Sequence, residues 1–189
     1  MPTTYQSWSV VFGEQPSAAK WNILGTNDAG FNNGTALPVG TCVQIAQNVT
    51  TSLQTGTTLL PFDNSIPQSG EGDQYMTQAI TPRSATNLLV IDVTFVGSNS
   101  AALGTLTAAL FQDSTANALA AASQTFTGAS YGTNVKLTHT MTAGTTSSTT
   151  FKVRVGSSTA GTTYFNGASA AVLFSTIGKS SLVIREYTV

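Results

Sequence analysis

The stretch Asn87-Leu88-Leu89-Val90-Ile91-Asp92-Val93-Thr94-Phe95-Val96 decides the fold. Leu89, Ile91, Val93 and Phe95 fall two residues apart, and Asp92 and Thr94 stand between them. Successive side chains of an extended chain point to opposite faces, so this spacing marks a strand with an apolar face and a more polar one. Working outward, the pattern recurs. Val135-Lys136-Leu137-Thr138-His139-Thr140-Met141 and Phe151-Lys152-Val153-Arg154-Val155 alternate in the same way, with Ala143-Gly144-Thr145-Thr146 as the turn between them. Thr105 to Gln112 and Ala118 to Gln124 flank Asp113-Ser114-Thr115-Ala116-Asn117, which reads as a hairpin with polar turn residues. Tyr164-Phe165-Asn166-Gly167 reads as a short strand entering a turn, and Ser181 to Tyr187 as a last strand. About eight short strands without helical periodicity predict an all-β sandwich.

Composition agrees. The chain has 189 residues, of which 41% are hydrophobic and 8% charged, against about 25% charged in an average globular protein. Roughly a quarter of it is Thr or Ser, residues that suit strands and turns. The outer surface is therefore either neutral and polar or covered by other copies of the chain. The net charge of -1 and scattered Lys and Arg give nucleic-acid binding no electrostatic support. No apolar run is long enough for a membrane-spanning helix, and Met1-Pro2-Thr3-Thr4 does not open a signal peptide. One cysteine, Cys42, excludes an intrachain disulfide and is expected to act as a small hydrophobe. Paired Ala residues at 101–102, 108–109, 120–122 and 170–171 predict close approach between sheets or between subunits.

Three parts are expected: an N-terminal attachment segment over 1–35, a connector over 36–59 and a head domain over 60–189. Within the first, Pro16 suits an opening helical turn and Gly25 a helix end, with Ala18, Trp21 and Leu24 at helical spacing between them. So short a helix must dock its Trp21 face on something. Thr26 to Gly30 reads as a polar loop. The connector carries some alternation at Val39, Thr41, Val43 and Ile45, so part of it is a candidate strand.

Three segments resemble the C1q/TNF-like jelly-roll heads at the tips of phage fibres. They are Leu60-Pro61-Phe62-Asp63-Asn64-Ser65-Ile66-Pro67-Gln68 with Glu71-Gly72-Asp73, then Ile80 to Leu88, then Tyr164-Phe165-Asn166-Gly167 through Glu186. In such heads an extended strand leads to the glutamate–glycine turn. Phe12 to Pro16 with Lys20 to Asp28 is similar to the opening of many phage tail or fibre proteins. The resemblance implies a homotrimeric, jelly-roll virion protein, assembled in the host cytoplasm and attached to other virion proteins at one end. Receptor contact, with a host surface glycan or protein, is implied at the other end. Phe12, Pro16, Trp21, Leu24, Asn27 and Asp28 are then the attachment candidates. The alternatives are a capsid decoration or head-fibre protein and a carbohydrate-binding module.

Enzymatic chemistry finds little support. A nucleophile needs a partner base, and the single histidine, His139, lies on an alternating strand face with Val135, Leu137 and Met141. Asp63, Glu71 and Asp73 form the one acidic grouping from which a glycosidase pair or a Ca²⁺ site would be drawn, but their Asp/Gly-rich context reads as turn chemistry. One Cys and one His do not make a transition-metal site, and no cofactor motif is present. Asn33-Gly34-Thr35 and Asn48-Val49-Thr50 match the glycosylation sequon by chance. For ligand recognition the candidates are Tyr131, Tyr164 and Trp8, which could stack on a sugar ring. The Gly/Ser/Thr-rich loops 128–134 and 157–163 are expected together at one end of the sandwich.

Overall fold

A computed structural model describes residue 15, residues 17–32 and residues 37–189. Trp8, Phe12, Pro16 and the Asn33 sequon lie outside these residues. One helix, α1 (Ala18–Asn32), precedes the strands β1 (Cys42–Thr50), β2 (Gln54–Gly56), β3 (Asp73–Ile80), β4 (Leu88–Asn99), β5 (Gly104–Gln112) and β6 (Ala120–Phe126). There follow β7 (Thr133–Thr142), β8 (Thr149–Ser157), β9 (Thr163–Phe165), β10 (Gly167–Ala168), β11 (Ala171–Val172) and β12 (Ser180–Tyr187).

β10 and β11 pair in a small sheet of their own, and the other strands make two large antiparallel sheets. One runs β1-β12-β4-β7, and β9 with β2 takes over beside β4 where β12 ends, since β12 pairs with Leu88–Thr94 and β9 with Gly97–Asn99. The other runs β3-β8-β5-β6. β3→β4, β4→β5, β6→β7 and β7→β8 all pass from one sheet to the other, while β5–β6 is a hairpin within one sheet. The chain is a jelly-roll β-sandwich with a short helix before it. The alternation of β4 holds residue by residue: Leu89, Ile91, Val93 and Phe95 are buried between the sheets. They share the core with Leu106 and Leu110 of β5, Phe151, Val153 and Val155 of β8, and Leu182 and Ile184 of β12. Each such side chain contributes roughly 1.5–3 kcal/mol of transfer free energy.

A second, smaller core lies on the outer side of β5. Leu60 packs there on Ala109 and Phe111, with Ala118 beside them. Leu60 is carried by an extended segment tied down along its length: Leu60 N–H donates to Ser157 O, Gly72 N–H to Leu59 O, and Ala118 N–H to Pro67 O. Residues 57–72 form no ladder strand, only an isolated bridge from Gln68 to Asn117, so the extended strand implied by the resemblance is a strap instead. Gly72, at the end of the strap, has φ +62°, and a Cβ there would lie 2.9 Å from the Val155 backbone.

Several expectations are corrected. The helix does not end at Gly25 and Thr26–Gly30 is not a loop; α1 continues to Asn32. Gly25 stays outside the left-handed region that an ending glycine adopts, and Thr26 Oγ1 donates to Asn22 O one turn back. The connector's alternation does belong to a strand, and β1 pairs along its length with β12. Residues 143–146 do lie between β7 and β8, and the connection carries the chain from one sheet to the other, with Ala143 and Gly144 bonding back to Asn87 and Ala85. Cys42 is exposed and not packed as a hydrophobe; its thiol donates to Gln44 O at 3.6 Å.

Candidate functional site

The attachment candidates come first. Ser17 opens α1, its hydroxyl accepting from Lys20 N–H and its carbonyl from Trp21 N–H. Trp21 is 60% exposed and Phe31 63%, while Leu24 and Asn27 are half-buried and Asp28 is exposed. Trp21 is thus largely open to solvent, beside the half-buried Leu24. Trp21 and Asp28 are on the same side by heptad spacing, and Leu24 lies between them.

The acidic grouping is absorbed by local structure. Asp63 accepts from the backbone N–H and hydroxyl of Ser65, at 2.7 and 2.6 Å, and these bonds hold its carboxyl below the usual range. Glu71 accepts from Gln68 N–H at 2.8 Å. Asp73 accepts from the N–H and hydroxyl of Thr58. The turn after Glu71 is fixed from β8, where the Arg154 guanidinium donates to Glu71 O and Gly72 O. Among the described residues no three of His, Cys, Asp and Glu converge. His139 sits opposite Ile91 in the β4–β7 pair.

Two buried polar hubs join the C-terminal strand to the rest. Glu186, wholly buried, accepts through Oε1 from Arg83 N–H, Ser84 N–H and Asn87 Nδ2. Its Oε2 takes a further bond from Gln44 when that amide turns its nitrogen inward. Asn166, at φ 57°, donates through Nδ2 to Thr50 O and Ser52 O and accepts from the Ser180 hydroxyl at 2.7 Å. This is the Asn166-Gly167 turn singled out in the sequence.

The two Gly/Ser/Thr-rich loops do meet at one end. Ser130 N–H donates to Asn99 O in one, and Thr162 O accepts from Ser100 N–H in the other. Tyr131 projects there, 65% exposed, whereas Tyr164 is half-buried. Beside Tyr131 an open cleft of about 310 Å³ runs between β6 and β7. A second cleft, of about 170 Å³, contains Lys152 and Arg154, but Lys152 Nζ is held by Asp113 O at 2.6 Å and Arg154 by the Glu71–Gly72 turn.

No family model matches this chain, and no curated protein matches it. Several solved structures are similar to parts of it, two of them as follows. The Eiger TNF of S. frugiperda is 12% identical over 77% of this chain and 93% of its own, with a TM-score of 0.43. The enzymatically active domain of tailspike protein 4 of bacteriophage CBA120 is 20% identical over 66% of this chain and 18% of its own, with a TM-score of 0.27. The jelly-roll assignment stands on the strand order itself. Among the described residues, no helix is long and apolar enough to cross a membrane.

Proposed function

We propose that this chain is a non-enzymatic structural protein of a phage virion: a homotrimeric tail fibre or appendage. Residues 1–35 attach it to other virion proteins, and the sandwich head from residue 60 onward is presented for host-surface recognition. Residues 36–59 join the two, with β1 and β2 laid against the head.

The observation that carries this reading is the bare outer face of the β1-β12-β4-β7 sheet. Ile45 and Val49 of β1 are 59% and 45% exposed, and Val183 and Val90 continue the aliphatic surface across β12 and β4. In its middle Arg185 pairs with Asp92, which also accepts from the Thr138 hydroxyl, so these charges are neutralised within the face. The β7 side of this face carries Lys136, Thr138 and Thr140, so the aliphatic strip lies over β1, β12 and β4, and on a chain with so few charges that strip is the surface that other copies would cover. The exposed Trp21 fits an attachment contact made outside the chain.

Mass measurement in solution tests the assembly. The expected particle is three chains of 19.5 kDa each, and a stable monomer sinks the trimer. Immunogold labelling of virions tests the location: label at the tail supports the appendage, and label over the capsid favours a decoration protein instead.

A further inference from the structure

In the cleft between β6 and β7 an exposed aromatic ring, polar groups and open volume coincide. β6 pairs only with β5 and β7 only with β4, so the cleft opens where two unpaired sheet edges face each other. Gln124, Thr125 and Thr127 line one side; Tyr131, Thr133 and Asn134 line the other. The Asn134 amide makes no hydrogen bond within the described residues, and the Gln124 amide makes only a long one, 3.4 Å to Thr125 O. No residue lining the cleft bears a charged side chain.

Tyr131 is held in place before any ligand arrives. Its ring lies flat against Gly128, where a Cβ would stand 2.5 Å from Cε2. Tyr131 N–H closes the turn by donating to Gly128 O. Ser130, at φ 60°, anchors that turn by its N–H to the carbonyl of the buried Asn99. An aromatic fixed in this way loses little further freedom on binding.

We infer that this cleft binds a neutral pyranose unit of a surface glycan, with Tyr131 as the stacking platform. The chemistry selects that class. A pyranose offers one face of C–H groups to an aromatic ring and a rim of hydroxyls that both donate and accept. Amides and threonine hydroxyls also do both. Anionic sugars and nucleic acid would need cations, and the lining has none. The volume sits at the low end of the roughly 300–1,000 Å³ of small-ligand sites, enough for about one sugar unit with its chain leading outward.

The inference rests on the host-recognition role proposed above and names its ligand class. The test is saturation-transfer NMR of the full chain with the methyl pyranosides of glucose, galactose, mannose and N-acetylglucosamine, with the methyl glycoside of N-acetylneuraminic acid as the charged control. At least one neutral pyranoside is expected to receive saturation and the sialoside none. Tyr131→Ala is expected to abolish the transfer and Tyr131→Phe to keep it. Gly128→Ala, which pushes the ring from its seat, should weaken binding about tenfold with the circular dichroism spectrum unchanged. Silence toward all four pyranosides, binding of the sialoside alone, or transfer that survives Tyr131→Ala overturns the site. Virion labelling uses no sugar. A labelled virion with a silent cleft removes this site alone, and a sugar-binding chain absent from virions removes the appendage role alone.

Discussion

Asn87 Nδ2 donates to Glu186 Oε1 at 2.7 Å inside the protein, across 99 residues of sequence. With Arg83 N–H and Ser84 N–H on the same oxygen, it ties the segment before β4 to the end of β12. Glu186→Ala leaves these donors facing a cavity. Urea unfolding is expected to show a loss of about 3 kcal/mol, the range for breaking a buried charged cluster. A loss under about 1 kcal/mol would mean that water reaches the cradle.

Tyr75 stacks on Phe165 with ring centroids 4.8 Å apart and 7° between planes. Its hydroxyl is buried with no hydrogen-bond partner, and burial, with the nearby Asp73 carboxylate, pushes its pKa far up. Tyr75→Phe keeps the stack and removes the unpaired group. Thermal unfolding should show stability unchanged or raised by about 1 kcal/mol. A clear loss would reveal a bond to that hydroxyl.

Asp63 is stabilised as a carboxylate by Ser65, so its folded pKa lies below the ordinary aspartate value. A lowered pKa adds stability that is present above the unfolded value and is lost as pH falls through the folded one. Ser65→Ala should move the Asp63 titration, followed by carboxyl NMR, upward toward the ordinary value. No movement would show that the serine hydroxyl does not set it.

Ile45→Lys places a charge on the bare sheet face at a side chain that is already 59% exposed. Its fold stability should change by no more than about 0.5 kcal/mol, while the solution mass falls to that of one chain. A trimer that persists would move the interface elsewhere.

Trp21→Ala should likewise leave the unfolding midpoint of the sandwich unchanged, because nothing among the described residues packs extensively on α1. Incorporation into virions, measured by immunoblot of purified particles, should drop. Normal incorporation would remove Trp21 from the attachment contact.

The strands that were legible in the sequence are those with one face in the core. β7 keeps period two throughout, β4 as far as Val96 and β8 as far as Val155, and β5–β6 is flagged by its turn residues. β3 was not legible. Its register shifts between Gln74 and Met76, so Tyr75 and Met76 are both buried and the alternation breaks. α1 was read too short because a glycine can sit inside a helix at a cost of about 1 kcal/mol as well as end one. At the candidate site, Tyr131 and its loop were visible as an aromatic in a Gly/Ser/Thr-rich stretch. Gln124 was not, because its approach to Asn134 depends on how the two sheets close. Glu186 read as an ordinary strand acid, since its donors lie about a hundred residues away.

The strap carrying Leu60 has a consequence for geometry. A sandwich has two outer faces, and this chain roofs one of them, over β5, with its own residues. Stacking of sheets is thereby denied on that side and left open only on the side of Ile45 and Val183. In the assembly proposed above, copies would therefore meet from one direction only, which favours a closed particle over an endless pile.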